Sequence, residues 1–455
     1  MAITSQAALQ KWDESGLFEH MDAEAGLAPI KDKYKRRTLA MVIENQAEQR
    51  IGFGLNTENF LAEDVIPANT SGIVAAGTDP AGLGKYDPIL IGMMRRSLPQ
   101  LMAYDIMGVQ AMTGPTGLIF AMKARYGASR ANAEALYNEA DTGFSGTGFG
   151  AVPSGLSVGN NPLSGTYTTN RGMLTTDAEA LGTTGATQQW ADMNFSIEKV
   201  SVTARTRALR AEYTQELAQD LKAIHGLDAD TELANIVSNE IVFETNRELI
   251  RSVYQVAMGG ALATTVAGTF DMDVDSNGRW SVEKFKGLAF QIRRDAAIVG
   301  QRTRRGIANV MICSSDVASA LQMAGVLDYA PALAAQIGIN EVDDTGNLYV
   351  GNFGKIKVFI DPYSANLSAA TQFYVLGYKG ATPYDAGLYY APYIPLQQVR
   401  AIDPQSFQPK MAFKTRFGLV ANPFVANTST GVADGEALSV GMNQYYCKVA
   451  VLNLL

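Results

Sequence analysis

The run Asp273-Val274-Asp275-Ser276-Asn277-Gly278 matches the first six positions of an EF-hand calcium loop, in which alternating oxygen ligands wrap a hard cation around a glycine turn. The match then breaks. The twelfth position, which should supply a bidentate glutamate, is Lys284, and Glu283 stands one residue early. The preceding Ala267-Gly268-Thr269-Phe270 does not read as the helix that an EF-hand requires. The spacing favours an Asx-rich turn capping a helix that follows Ser281, with a weak calcium site at Asp273, Asp275 and Asn277 as the alternative.

Other residues that could do chemistry are few. Glu240, Glu244 and Glu248 line one face of a predicted helix, a spacing that could serve acid/base work or a pair of metal ions. No Glu-x-x-His accompanies them, and Arg247 and Arg251 follow Glu244 and Glu248 by three residues, so surface ion pairs are expected. The two histidines are His20 and His225. His225 follows a helix in Ala223-Ile224-His225-Gly226, where the helix dipole accounts for it. Cys313 and Cys447 are too few for a disulfide framework and fit a reducing compartment, with Cys313 read as a core thiol. Gly146-x-Gly148-x-Gly150 lacks the spacing and the preceding strand of a dinucleotide fingerprint. The residues point to no metal centre, no cofactor and no catalytic set, which leaves assembly or binding as the larger class.

The elements that carry these residues divide the chain. Its 455 residues are 47% apolar and 18% charged, enough to bury two or three cores. No window offers the roughly 18 apolar residues of a membrane span, and the first twenty residues lack a signal core. The formal charge of -8 limits nucleic-acid binding to weak or local contact. Residues 1–63 read as a separate charged helical segment, with an amphipathic stretch over Thr38–Arg50. A stretch rich in Gly, Pro and Thr follows to about Pro88 and reads as an extended arm. Leu118-Ile119-Phe120-Ala121-Met122 reads as a strand. From Asp141 to Gln189 Gly, Ser and Thr dominate. Phe144, Phe149 and Tyr167 within it would be costly to leave in water, which predicts a loop that orders against a neighbouring subunit.

Residues 211–223 are predicted as a short helix and Asp228–Met258 as a helix of about 45 Å. Asp228 is the expected N-cap and Gly259-Gly260 the stop. Two apolar stripes, Leu233/Val237/Ile241 and Ile236/Phe243/Ile250, predict packing on more than one side. Beyond Ser281 helices over Val282–Gln301 and Asp316–Ala324 alternate with strands over Ile307–Ser314, Ile356–Ile360 and Phe373–Gly377, an α+β unit. The tail from Gly387 reads mostly as strands, with Tyr445–Leu455 as one more.

Several stretches resemble the major capsid proteins of T4-like tailed phages: Met94-Arg95-Arg96 with Leu98-Pro99, Gly108-Val109-Gln110 with Pro115-Thr116-Gly117, and Ala211-Glu212-Tyr213 continuing through Glu216-Leu217-Ala218-Gln219-Asp220-Leu221. To these are added Tyr378-Lys379-Gly380, Asp385-Ala386-Gly387, Tyr389-Tyr390-Ala391-Pro392-Tyr393, and Phe407-Gln408-Pro409 followed by Phe413-Lys414-Thr415-Arg416. Their order and number make the resemblance specific over most of the chain. It implies an α+β HK97-like shell fold. A cleaved propeptide would span 1–63, the N-terminal arm and the start of the peripheral domain 64–107, and the extended-loop region 108–200. The peripheral domain with its spine helix (228–258) would take 201–280, the axial domain 281–386, and return strands with the C-terminal strand 387–455. Relatives carry a folded insertion in the extended-loop region, and the polar stretch 141–189 implies that it is reduced or missing here.

The resemblance also implies processing. Family precursors are cut by a prohead protease after a glutamate two residues beyond Leu or Ile, and Leu61-Ala62-Glu63 fits, placing the cut between Glu63 and Asp64. The implied role is a non-enzymatic shell subunit of the virion head, assembled in the host cytoplasm as hexamers of itself. Implied partners are the vertex protein, the internal scaffold, the prohead protease, portal and decoration proteins, and packaged DNA only through weak interior contact. The competing readings are the pentamer-forming vertex paralogue, an encapsulin-like compartment, which would need no Leu61-Ala62-Glu63, and an enzyme zymogen, for which no catalytic residues can be named.

Overall fold

The computed structural model describes residues 9, 32–52, 101–127, 129, 132, 134–136, 140, 143–146, 172–182, 190–276, 280–329, 349–361, 363, 371–382, 385–402, 408–422 and 440–454. In chain order, helix α1 (Lys33–Gly52) is followed by a helical turn at Ala103–Ile106, strand β1 (Gly108–Val109) and strand β2 (Thr116–Tyr126). Strands β3 (Met193–Thr203) and β4 (Arg205–Glu212) lead to helices α2 (Gln215–Ile224) and α3 (Ala229–Val256). Next come β5 (Ala257–Gly259), β6 (Thr269–Asp271), helix α4 (Ser281–Thr303), β7 (Val310–Cys313), helix α5 (Ser315–Met323) and β8 (Asp328–Tyr329). The chain ends with β9 (Tyr349–Phe353), β10 (Ile356–Ile360), β11 (Thr371–Gly377), β12 (Leu388–Ile402), β13 (Pro409–Ala421) and β14 (Asn443–Leu452).

Among the described residues the strands form three sheets. One runs β1-β12-β13-β4, a larger one runs β5-β14-β11-β7-β10-β9-β8 with β6 also on β14, and β2 pairs with β3 alone. The strands of the tail, 387–455, divide between two sheets. β12 and β13 pair with each other over a long antiparallel register, whereas β14 joins the larger sheet through β11, from Thr371↔Leu452 to Gly377↔Tyr446. The large sheet packs α4 and α5 on a core of Leu288, Ile292, Val317, Leu321, Tyr374 and Val449. Each such side chain taken out of water contributes about 1.5–3 kcal/mol.

The expected helix over 211–223 is shorter, because Arg205–Glu212 alternates half-buried and exposed positions and is drawn onto β13 as a strand. Thr214 then caps α2, its hydroxyl accepting from the Leu217 amide at 3.2 Å. Helix α3 begins after Asp228 as expected but stops at Val256 rather than at Gly259-Gly260, since Ala257 turns extended and β14 recruits Ala257–Gly259 as an edge strand. Gly260 matters instead for close packing, since a Cβ there would stand 2.3 Å from Cys447 Sγ and only glycine lets the chain pass that near. The Val237/Ile241 stripe of α3 packs on Leu396, Met411 and Phe413. The other stripe is buried only toward its end, with Ile250 in the core and Ile236 exposed.

Helix α1 departs from the amphipathic expectation. Thr38, Leu39, Ala40, Val42, Ile43, Glu44 and Asn45 are all buried, so over Thr38–Asn45 the helix is enveloped rather than laid on a surface. Its Leu39, Ala40 and Ile43 share one core with Leu101, Met102, Tyr390 and Phe417. The residues expected to be trimmed therefore supply part of that core in the uncut chain.

Candidate functional site: an apolar ribbon and its root

The β2–β3 ribbon pairs in unbroken antiparallel register from Thr116↔Thr203 to Tyr126↔Met193. Alternation of side chains along each strand puts Leu118, Phe120 and Met122 on the same face as Met193, Phe195 and Ile197. All six are exposed, at 48–66%. On the opposite face Ile119, Val200 and Val202 are buried and close a small core with Met112, Tyr389 and Tyr393 at the root. A two-stranded ribbon is marginal in water by itself, and a contiguous apolar face of this kind marks an interaction surface. The strand over Leu118–Met122 was legible in the sequence. Its partner was not singled out, although Met193-x-Phe195-x-Ile197 carries the same period of two.

Beyond the ribbon's far end the chain folds back. Phe144, expected to order on a neighbouring subunit, is instead 5% exposed against its own chain, edge-on to Tyr126 at 4.8 Å between ring centres. Phe149, Tyr167 and the glycine motif Gly146-x-Gly148-x-Gly150, apart from Gly146 itself, lie outside the described residues. Arg125 ties the ribbon to this return through Ser196 Oγ at 2.7 Å and the Asn132 carbonyl at 2.7 Å. Glu134 then reaches Arg305 at 3.7 Å, and Arg305 also faces Asp385 at 3.4 Å.

At the root, two of the family-like stretches meet edge to edge. Gly108 and Val109 run parallel to Tyr389 and Tyr390, and the seam continues with Gln110 N–H donating to the Tyr390 carbonyl at 2.9 Å and Met112 N–H to that of Pro392 at 3.0 Å. A Cβ on Gly117 would stand 2.9 Å from Met112 Cγ, so any larger residue there would make the Met112 side chain move. Tyr378-Lys379-Gly380 and Asp385-Ala386-Gly387 form a second junction, with Gly380 N–H donating to the Asp385 carbonyl at 2.8 Å. Lys379 donates to the Tyr104 carbonyl, and burial lowers its ammonium to about 8.

The carboxylates of the long helix do not pair as their spacing suggests. Arg207 of β4 takes Glu244 at 3.0 Å and Glu248 at 2.6 Å. Arg247 turns the other way, gripping both oxygens of the buried Asp361 at 2.7 and 2.8 Å, with Tyr254 OH donating to the same carboxylate at 2.6 Å. The strand approaching α3 competes successfully for the glutamates because it offers a guanidinium between two of them. The cleft that these groups line, about 820 Å³, has both ion-pair groups, Arg207 with Glu244 and Glu248 and Arg247 with Asp361, in its wall.

In the aspartate loop, Lys284 Nζ sits 2.6 Å from Asp273 Oδ1, so the residue that breaks the EF-hand pattern supplies a cation of its own. Asp275 accepts from the Thr265 amide and hydroxyl and from the Asp271 amide, at 2.9–3.0 Å. Burial opposes its charge, but those hydrogen bonds outweigh it and hold the carboxyl below its usual range. The turn thus braces the 265–275 loop rather than capping α4, which Trp280 precedes without a side-chain cap. Asn277 lies outside the described residues. Among those described, no group of three or more His, Cys, Asp or Glu could hold a metal ion. His225 is the C-cap of α2, and His20 is outside the described residues. Cys313 and Cys447 are buried thiols, each pushed up to about 12 by desolvation. Leu61, Glu63 and Asp64 also lie outside the described residues, as does Met94–Pro99.

Comparison with known proteins supplies the family. Residues 83–451 match the model described as "Major capsid protein Gp23". The major capsid protein of Salmonella phage ViI is 42% identical, covering 84% of this chain and 88% of that protein. That of Enterobacteria phage T4 is 32% identical, covering 99% and 95% respectively. The capsid vertex protein of phage T4 is more distant, at 24% identity over 51% of this chain and 54% of its own length. Among solved structures, the capsid of Myoviridae phage XM1 aligns over 77% of this chain and 92% of its own at 9% identity and a TM-score of 0.38. Among the described residues no helix is long and apolar enough to cross a membrane. The chain belongs to the Gp23 family of major capsid proteins of T4-like tailed phages, non-enzymatic subunits of the virion head shell.

Proposed function

We propose that this shell subunit forms hexameric capsomers in which the β2–β3 ribbon lays its apolar face on a neighbouring copy. The carrying observation is the row Leu118, Phe120, Met122, Met193, Phe195 and Ile197, exposed together on one face of a ribbon that, among the described residues, its own chain covers only at the Tyr126 end, through Phe144. Interfaces of ordinary size bury roughly 800 Å² per partner, and rotational repetition multiplies each contact around the ring. On this reading α3 is the spine helix of a peripheral domain, 281–386 the axial domain, and 64–107 the arm and the start of the peripheral domain. The reduced insertion is supported by the alignment with the T4 protein, which runs over 525 positions, more than the 455 residues of this chain. The relative therefore carries segments without a counterpart here.

Processing completes the proposal: a prohead protease removes residues 1–63 by cutting after Glu63, with the removed segment facing an internal scaffold and with vertex, portal and decoration proteins completing the head. The motif Leu61-Ala62-Glu63 supports this. The vertex paralogue is the second reading, and the shorter, weaker match to the vertex protein disfavours it. The test is a double substitution, Phe120→Asp with Phe195→Asp. Subunits should keep their circular dichroism and melting temperature yet give no shells by electron microscopy. Shells at normal yield would overturn the interface. Intact mass on protein from DNA-filled heads should start at Asp64, and a species starting at Met1 would sink the processing claim.

A further inference from the structure

Asn45, 5% exposed near the middle of α1, places its side-chain nitrogen 2.5 Å from the carbonyl of Met112 and 3.1 Å from that of Tyr393. An amide nitrogen carries two hydrogens, so one side chain satisfies both acceptors. Those acceptors belong to different parts of the fold. Tyr393 lies in β12, while Met112 is the last residue whose N–H bonds to that strand before residues 113–115 turn into the ribbon. Asn45 therefore closes the seam at the point where the ribbon departs. The same helix is fixed upstream by Leu39, Ala40 and Ile43 in the core and by Tyr34, edge-on to Tyr104 at 6.4 Å.

We propose that residues 33–52 are a latch on the ribbon root, and, resting on the trimming reading above, that loss of residues 1–63 opens it. The covalent step is hydrolysis of the Glu63–Asp64 peptide bond by a separate protease. Water gives its hydroxyl to the Glu63 carbonyl carbon and a proton to the Asp64 nitrogen. α1 is then tied to the shell only by non-covalent contacts, and its departure removes both donors from the Met112 and Tyr393 carbonyls. The ribbon goes from clamped before the cut to hinged about 113–115 after it, so its orientation is adjustable only once the subunit has been processed. This gives the propeptide a second role beyond any contact with a scaffold, because it holds the interface element of its own chain in one pose.

Hydrogen–deuterium exchange on the unassembled full chain tests this, reading amides in 108–119 and 200–204 before and after incubation with the purified prohead protease. Asn45→Ala and Asn45→Asp in the uncut chain should each speed exchange there by about tenfold, as expected for baring two buried acceptors. Lys33→Ala, an exposed change on the same helix, should not. The cut wild-type chain should match Asn45→Ala. Exchange in uncut Asn45→Ala equal to wild type would overturn the latch, as would cut chain, verified by mass to start at Asp64, exchanging as slowly as uncut. If no cut occurs after Glu63, the trimming reading fails alone, because the Asn45 comparison in uncut chain still decides the latch. Should either Asn45 variant fail to fold, the wild-type comparison before and after the cut decides it.

Discussion

Replacing Asp361 by Asn should destabilise the chain far more than replacing Glu244 by Gln, although spacing along the helix points to Glu244 as the partner of Arg247. Asp361 has a side chain 1% exposed and holds Arg247, 24% exposed, through two short contacts. Charges about 4 Å apart at an effective dielectric of 20 attract by about 4 kcal/mol, and breaking such a buried pair from one side costs about 3–5 kcal/mol. The Arg207–Glu244 contact, with side chains 32% and 36% exposed, belongs to the surface class worth about 1 kcal/mol or less. Urea titration of the unassembled full chain, followed by tyrosine fluorescence and circular dichroism, measures both. A double-mutant cycle over Arg247→Met and Asp361→Asn should return a coupling of at least about 2 kcal/mol. Two results would refute the reasoning: Asp361→Asn within about 0.5 kcal/mol of wild type, or Glu244→Gln as costly as Asp361→Asn.

Three further outcomes follow from buried charge and packing. Lys379 pays for burial with an ammonium lowered from 10.5 to about 8, equivalent to about 3 kcal/mol. The unfolded chain binds the extra proton between pH 8 and 10.5, so that cost is full below pH 8 and is relieved as pH rises. Wild type should therefore gain stability relative to Lys379→Met between pH 7.5 and 10, and a pH-independent difference would contradict the burial argument. The two thiols, Cys313 and Cys447, are buried and protonated, so a disulfide reagent at pH 8 should find none reactive in native chain and two in denaturant. Fast labelling of native protein would show that one of the cores opens readily. Millimolar calcium should leave the melting temperature unchanged, because Lys284 already neutralises Asp273. Lys284→Gln is the informative partner experiment, and a calcium-dependent rise in wild type would restore the ion site.

What could be read from the sequence and what could not divide along a physical line. Helices α3, α4 and α5 were legible because their apolar residues recur at helical spacing, and on α3 and α4 over several turns. Strand β4 was missed because Arg205–Glu212, rich in arginine, looks solvent-facing by composition, and its state is decided by β13 alongside. Arg247 was misassigned for the same reason: an i, i+3 rule sees only one helix, while the true partner lies 114 residues away. The ribbon was half legible, since Leu118–Met122 alternates plainly but its partner strand begins only at Met193, far beyond Tyr126 in the chain.

The least legible feature is functionally the most consequential. Composition set residues 1–63 apart as a charged helical segment, and that boundary says nothing about what the segment covers. Thr38–Arg50 reads as an amphipathic stretch, yet the surface that buries Thr38–Asn45 includes residues 101–112 and 388–393, far downstream in the chain. A segment destined for removal is under no requirement to be loosely attached. Because Leu39, Ala40 and Ile43 are built into the core, the trimming proposed above would make the uncut and cut subunits different molecules at the ribbon root.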